Sequence, residues 1–335
     1  MAQLSGEEFV RLANNFYNQK NIATDINRIA LDSELVNYFG AHAQEMTKKF
    51  KVAFCCICLN QPYWEFIKPM IDGAKRFFLP GHEVDYFLWS DILAENSGLK
   101  KLEDKTAYAD GFNDAIDKVN NRIYGATVFP TAPEPWPAPT LMRYHLFLNQ
   151  EEILKNYDYI FYCDVDMQFV NVVGDEILGT GLTAALHPGY AIKKEYWPPY
   201  EPNKDSHSFI NRPGIVINDE GKPRFMPMYF AGGLQGGVAK KWFEAMRTMK
   251  DLVEKDMAIG YTPIWNDETV WNKYLEKTPL DLTVLTPSYI YPDSLIKEYY
   301  EPLWGVSYIP KLITITKKFS VSKEGGEAVK RLIQK

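Results

Sequence analysis

Asp164 and Asp166 close an aromatic, β-prone run, Tyr157-Asp-Tyr-Ile-Phe-Tyr-Cys-Asp164-Val-Asp166-Met-Gln-Phe169. Such a run predicts a buried strand. On a strand, side chains i and i+2 share a face, so the two carboxylates lie side by side or converge from a turn at the strand end. Carboxylates that close repel unless a cation joins them. A divalent ion that prefers hard oxygen ligands, carrying water and a phosphate, suits the pair. In open α/β sheets ligands collect at the carboxyl ends of strands. Taken alone, Asp-x-Asp also fits a solvated strand-end turn.

Three downstream segments bear on that choice. Leu186-His187-Pro188-Gly189-Tyr190 follows the acidic pair. Ala231-Gly232-Gly233 and Gly236-Gly237 let a ligand approach the backbone closely. Trp265-Asn266-Asp267-Glu268 precedes Trp271-Asn272-Lys273-Tyr274-Leu275.

The elements that must position these groups are legible in outline. Residues 51–59, Lys-Val-Ala-Phe-Cys-Cys-Ile-Cys-Leu, predict a buried strand ended by Asn60-Gln-Pro62. An amphipathic helix follows over 63–78, closed by Leu79-Pro80-Gly81, and then a strand over 82–89. This is a β-α-β unit, the building block of parallel sheets. Residues 96–140 read as loop-rich, with prolines at 130, 133, 135, 137 and 139, and 140–157 as a helix leading into the acidic strand. Residues 184–213, rich in Tyr, Trp and Pro, predict loops facing a substrate. Helices are expected over 239–257 and from 265 to 275, and short strands over 276–316. Residues 1–50 look helical, with a cap at Ser5-Gly-Glu-Glu and Phe9, Val10, Leu12 and Phe16 at helical spacing.

Composition bounds the function. The 335 residues are 46% hydrophobic, which excludes general disorder, and a net charge of −6 argues against a nucleic-acid groove. A phosphate ligand would then need local help from a metal or from placed Lys and Arg. Cys55, Cys56, Cys58 and Cys163 fall on the two apparent strands and read as small core residues. Cys-x-Cys with no second pair is poor zinc spacing. Reduced cysteines, no apolar run long enough to span a membrane and no signal-peptide core lead to the expectation of a cytoplasmic chain without a transmembrane segment.

Taken in order, the motifs resemble the histo-blood-group A/B transferase and α-1,3-galactosyltransferase family, glycosyltransferase family six. The resemblance runs from Val52 to Lys318. It takes in Tyr63-Trp-Glu-Phe-Ile-Lys, Gly81-His-Glu-Val-Asp-Tyr, Leu141-Met-Arg143, Asp164-Val-Asp166-Met and Leu186-His-Pro-Gly. It continues through the Ala231 segment, Asp267-Glu268, Asn272-Lys-Tyr-Leu and Leu285-Thr-Pro-Ser-Tyr289. It implies an α/β chain of GT-A fold. One Rossmann-like nucleotide-sugar domain with a mixed central sheet would span 51–318, after a helical N-terminal extension over 1–50 and before a tail over 319–335.

The resemblance also implies roles. Asp164 and Asp166 would hold Mn2+ or Mg2+ against the diphosphate of UDP-GalNAc or UDP-Gal. Glu268 would be the catalytic carboxylate of a retaining transfer to the 3-OH of a galactose-containing acceptor glycan, with or without fucose. Tyr63, Arg143, Ala231, Gly232, Gly233, Asp267 and a basic residue at Lys318, or its neighbour Lys317, would bind the donor; His187 and Trp265 would contact the acceptor. Small residues at 231 and 233 leave volume and modestly favour GalNAc over Gal. Many bacterial members carry Asn at both acidic positions, whereas this chain keeps both Asp. The family's His before Asp-Glu is Asn266 here, and the insertion around 94–139 has no counterpart. With residues 1–50 that look soluble where the mammalian members have a membrane anchor and stem, these last departures suggest a soluble bacterial or viral member, and the retained Asp pair favours metal dependence. Two alternatives are a catalytically silent carbohydrate-binding protein on the same fold and a different nucleotide-sugar transferase.

Overall fold

The structure is a computed structural model that describes residues 49–92, 116–117, 121–191, 198–210, 215–217, 223–225, 228–276, 281–293 and 309–317. The expected helical extension, the tail beyond 318 and Lys318 itself lie outside the described residues. By contacts the chain divides into two units, Met1–Phe50 with Gly81–Glu83, and Lys51–Pro80 with Val84–Lys335. The elements below belong to the second, save the first residue of β2.

The first strand, β1 (Lys51–Cys58), leads through a 3-10 turn at Gln61–Phe66 into α1 (Ile67–Phe77), and β2 (Glu83–Ser90) follows. The β-α-β unit read from the sequence is therefore present. β1 is buried from Val52 onward. Ala53, Cys55 and Ile57 join one core, while Phe54 packs on Phe78 and Phe169 on the other face. Burial on both faces is why this strand reads as an unbroken apolar run. All four cysteines are free and buried.

Residues 96–140 are not all loop. Short strands β3 (Ile116–Asp117), β4 (Arg122–Ile123) and β5 (Ala126–Pro130) lie within them, and β5 pairs in parallel with β2. The proline cluster hid β5, which pairs with the distant β2 as well as with β4 just before it. The helix expected over 140–157 is three short ones, α2 (Ala138–Leu141), α3 (Arg143–Leu148) and α4 (Glu151–Leu154).

The acidic run is strand β6 (Tyr159–Cys163), then a turn, then β7 (Met167–Phe169). The Met167 N–H donates to the Asp164 carbonyl at 3.2 Å, so the two carboxylates converge from a turn rather than from a straight strand. Next come β8 (Leu182–Leu186), α5 (Pro188–Ala191) and the hairpin β9 (Ile215–Ile217) with β10 (Pro223–Phe225). The stretch 184–213 thus opens on a strand.

The glycine-dense segment is β11 (Phe230–Val238), a buried strand antiparallel to both β6 and β8. Its glycines serve packing: a Cβ at Gly236 would lie 2.0 Å from the Phe161 ring, and Gly237, at φ +139°, would meet the Gly181 carbonyl oxygen at 2.4 Å. α6 (Ala239–Ala258) and α7 (Asp267–Leu275) follow, with β12 (Thr283–Leu285), β13 (Tyr291–Pro292) and β14 (Leu312–Thr314).

The nine-stranded sheet has the order β12-β8-β11-β6-β1-β2-β5-β4-β3, and β13-β14-β7 form a second sheet. The nine-stranded sheet is mixed: β1/β6, β2/β5 and β12/β8 are parallel, while β11 runs against its neighbours. On one face Tyr144, Phe147, Trp242, Met246 and Trp271 pack into the core from α3, α6 and α7. This is the α/β architecture with a mixed central sheet that a GT-A domain has.

Candidate active site

The site forms where β6 ends beside β11. The Asp164 N–H donates to the Gly233 carbonyl at 2.9 Å, which pins the acidic turn against the glycine strand. Arg143, at the start of α3, is 2% exposed. Its guanidinium lies 2.9 Å from Asp267 Oδ2 and 3.4 Å from Asp164 Oδ1, and it donates to the Gly232 carbonyl at 3.3 Å. It also stacks over the Tyr162 ring at 4.3 Å. One buried cation thus links the acidic turn, the glycine strand and the start of α7. A surface helical arginine would have done none of this.

Tyr162 carries no chemical signal of its own in the sequence, yet its hydroxyl donates to Asp164 Oδ1 at 2.5 Å. Spacing could have drawn attention to it, since Tyr162 lies two residues before Asp164 at the end of the acidic strand. On the other carboxylate, Lys317 Nζ lies 2.6 Å from Asp166 Oδ2 and 5.3 Å above the Tyr63 ring. The basic residue near the chain's end that the described residues bring to the site is therefore Lys317. Burial, then the charge of Asp164, raises the Asp166 carboxyl, and Lys317 opposes both. A cleft of about 110 Å³ is lined by these groups together with Trp136, whose proline-rich surroundings gave no sequence signal.

Glu268 sits in the first turn of α7. Its Oε2 accepts the Gly232 N–H at 2.9 Å. Burial pushes its carboxyl up to about 7, and the Gly232 hydrogen bond partly offsets that. Asp267 is pushed up to about 6, again by burial, with Arg143 opposing. The pair begins α7 after Asn266, whose φ of +51° and ψ of −123° are rare for a non-glycine residue. Asn272, one turn on, gives both amide hydrogens to the Glu268 and Phe230 carbonyls and accepts the Phe230 N–H at 2.9 Å. That clamp holds α7 against β11, and nothing in the local sequence announces it.

Small residues at 231–233 are packed on by protein atoms. A Cβ at Gly232 would lie 2.6 Å from Asp267 Oδ2, and one at Gly233 3.0 Å from Asp164 Oδ2 and from Ile290 Cδ1. The space these glycines leave is taken by the acidic side chains themselves.

Beyond Glu268 the lining turns aromatic. Tyr229, buried at 2% exposure, lies among His187, Tyr190 and Tyr200 at ring-centre distances of 5.8, 5.2 and 5.5 Å. Its hydroxyl neighbours Glu268 yet sits outside hydrogen-bonding geometry. Burial lowers His187 to about 4, which keeps it neutral at physiological pH, and its Nδ1 accepts the Gly189 N–H. Trp265 is 48% exposed, and its carbonyl accepts the Glu268 N–H. Among the described residues, Tyr63, Arg143, Asp164, Asp166 and Lys317 thus share one cleft, Asp267 and Glu268 join it through Arg143 and Gly232, His187 packs on Tyr229, and Trp265 is tied in only through its backbone.

Among the described residues no group of three or more His, Cys, Asp and Glu is arranged to hold a metal. The two carboxylates of the acidic turn still fit a hard divalent ion. They are oxygen donors, they draw a lysine as counter-charge, and with only two protein ligands they leave positions for phosphate and water.

Residues 135–301 match the family described as Glycosyltransferase family 6. Curated proteins similar to this chain include the histo-blood group ABO system transferase 1 of Rattus norvegicus, 26% identical over 75% of this chain and 65% of the rat protein. The globoside alpha-1,3-N-acetylgalactosaminyltransferase 1 of Homo sapiens is 27% identical over 69% of this chain and 58% of its own length. The glycosyltransferase 6 domain-containing protein 1 of Rattus norvegicus is 27% identical over 70% and 64%. The chain thus spans less than two thirds of each of these relatives. Among the described residues no helix is long and apolar enough to cross a membrane. The ordered motifs, the mixed sheet that aligns them and the matched segment agree: the chain belongs to glycosyltransferase family 6.

Proposed function

We propose that this chain transfers GalNAc or galactose from a UDP-sugar to the 3-OH of a galactose-containing acceptor glycan, with retention of anomeric configuration. The observation that carries the reading is the position of Glu268. It stands at the junction of the ionic cleft and the aromatic wall, held by the Gly232 N–H.

The ionic half suits a nucleoside diphosphate. Asp164 and Asp166 would hold Mn2+ or Mg2+, which supplies charge neutralisation for the departing diphosphate. Lys317 and Arg143 add fixed positive charge, and Tyr63, which lines the same cleft, offers a face to a base. Asp267, fixed by Arg143, presents an acceptor for sugar hydroxyls. As the sugar–phosphate bond opens, positive charge builds at the anomeric carbon, and an ionised Glu268 meets it as nucleophile or as counter-charge. Retention accords with both. On the far side, His187 and Trp265 offer an aromatic surface to the apolar face of an acceptor sugar.

A donor panel of UDP-Gal, UDP-GalNAc, UDP-Glc and UDP-GlcNAc tests this, read as UDP release with Mn2+ or chelator, with and without fucosylated lactose. Release that requires the metal and rises with acceptor, giving an α-linked product by NMR, is expected. No release from any donor, with glycan binding that needs no nucleotide, would instead make the chain a silent carbohydrate-binding protein.

A further inference from the structure

The segment 198–210 fastens to the elements around Glu268 at four points, and buried carboxylates provide two of them. Tyr200 donates its hydroxyl to the Met228 carbonyl at 2.7 Å and packs its ring on Tyr229. Asp256 of α6, fully buried, accepts the Ser206 hydroxyl at 2.8 Å and the His207 N–H at 2.6 Å. Lys273 of α7 reaches the Phe209 carbonyl at 2.7 Å. The fourth point is Glu201, 2% exposed. Its Oε1 accepts the Tyr261 hydroxyl at 2.6 Å and the Asn203 N–H at 3.0 Å, and its Oε2 accepts the Ile264 N–H at 2.9 Å.

Tyr261 and Ile264 belong to the turn that delivers Trp265, Asn266 and the acidic pair to the start of α7. Nearer the helix, the Asn266 N–H reaches the Pro263 carbonyl, and the Trp265 N–H reaches the Thr269 hydroxyl at 2.9 Å. The turn also carries backbone strain at Asn266, which persists only where surrounding contacts over-determine it. A buried carboxylate is costly unless hydrogen bonds or a counter-charge satisfy it. Three donors converge on Glu201, two of them from this turn.

We propose that Glu201 is a positioning residue for the acceptor. Its carboxylate ties segment 198–210, which carries Tyr200 of the aromatic wall, to the turn 259–266, which carries Trp265, and thereby fixes the two elements between which the acceptor sugar would dock. This rests on the functional reading above, which places the acceptor on the aromatic side of Glu268. The hydrogen bonds of Glu201 reach none of the cleft residues Asp164, Asp166, Arg143 or Lys317, so its influence is confined to the acceptor side.

The test is calorimetry on the full chain with UDP and Mn2+, titrating 2′-fucosyllactose and, separately, UDP. Glu201→Gln keeps the shape and removes the charge. It is expected to weaken trisaccharide binding about tenfold, the ratio set by losing one charge-assisted hydrogen bond, with UDP affinity unchanged. Tyr261→Phe removes one donor without touching the carboxylate, and should weaken the trisaccharide in the same direction by less than Glu201→Gln. The double variant should fall short of the product of the two effects, because both act through one contact. Unchanged trisaccharide binding, an equal loss of UDP and trisaccharide, or wild-type chain that binds UDP but not the trisaccharide would overturn the proposal. Absence of UDP binding in the wild type would refute the nucleotide-sugar reading instead.

Discussion

Replacing Arg143 by Met tests how the site is held together. The substitution keeps an apolar stem of similar reach and removes the guanidinium that joins Asp164 to Asp267. Removing one partner of a buried ion pair costs on the order of 3–5 kcal/mol, because the other charge is left stranded. That figure applies only while the stranded carboxyl stays ionised; its alternative is to bind a proton. Asp267 is already pushed up to about 6 by burial with Arg143 opposing, so without Arg143 it rises further. A folded-state value above the unfolded value of about 4 means that the native state keeps a proton which the unfolded chain releases. Stability therefore falls as pH rises through that window. In the wild type the window closes at a pH of about 6. In the variant it extends above neutrality, and each further pH unit of width costs about 1.4 kcal/mol. The expected loss is about 3 kcal/mol or more at pH 8 and about 1 kcal/mol at pH 5. Urea unfolding followed by tryptophan fluorescence at both pH values measures it. A loss below about 1 kcal/mol at pH 8, or equal losses at both pH values, would refute Arg143 as the shared counter-charge of the acidic groups. Arg143→Lys, which keeps the charge but cannot fork to two carboxylates, should fall between wild type and Met.

Three further outcomes follow from the same geometry. Glu268→Gln should abolish turnover while UDP affinity by calorimetry stays within about twofold, and kcat/KM of the wild type should rise with pH to a plateau with a midpoint of about 7, since the carboxylate is the working form; unchanged turnover in the variant would remove Glu268 from its role. Asp164→Ala with Asp166→Ala should remove Mn2+-dependent UDP release, and full activity of that double variant would sink the metal assignment. Gly237→Ala, at φ +139° and 2.4 Å from a backbone oxygen, should destabilise more than Gly232→Ala, whose Cβ meets side-chain atoms of Asp267 and Glu268 first and has no positive φ; thermal unfolding ranks them, and about 2 kcal/mol or more is expected for the first.

Local pattern was enough to find the strand 51–58, the helix into 77, the strand 83–90 and the helices over 239–258 and 267–275, because each carries its own periodicity and end signals. It was also enough to single out Asp164, Asp166, Asp267 and Glu268, whose spacing is a statement about chemistry as well as structure. It failed at β5 and β11. β11 is flanked by β6 and β8 and β5 by β2, strands distant in sequence that no local window around 126–130 or 230–238 contains.

Read along the chain, the residues already supply an inventory: two acidic pairs, an arginine before the first, aromatic residues after it, and the order in which they come. Which of them meet is a tertiary outcome. Arg143, 124 positions before Asp267 (267 − 143), becomes the cation between the two acidic groups only when β6 and β11 pair and α7 packs across them. Lys317 reaches Asp166 from the far end of the chain. The glycines at 232 and 233, which look like room for a ligand, turn out to be room for carboxylates. Glu201 and Asn272 gain their roles from partners distant in sequence. One cause runs through all of these. Charge and shape are local properties of a residue, but the burial that raises a pKa, and the hydrogen bonds that satisfy a buried carboxylate, come from whatever the fold brings against it.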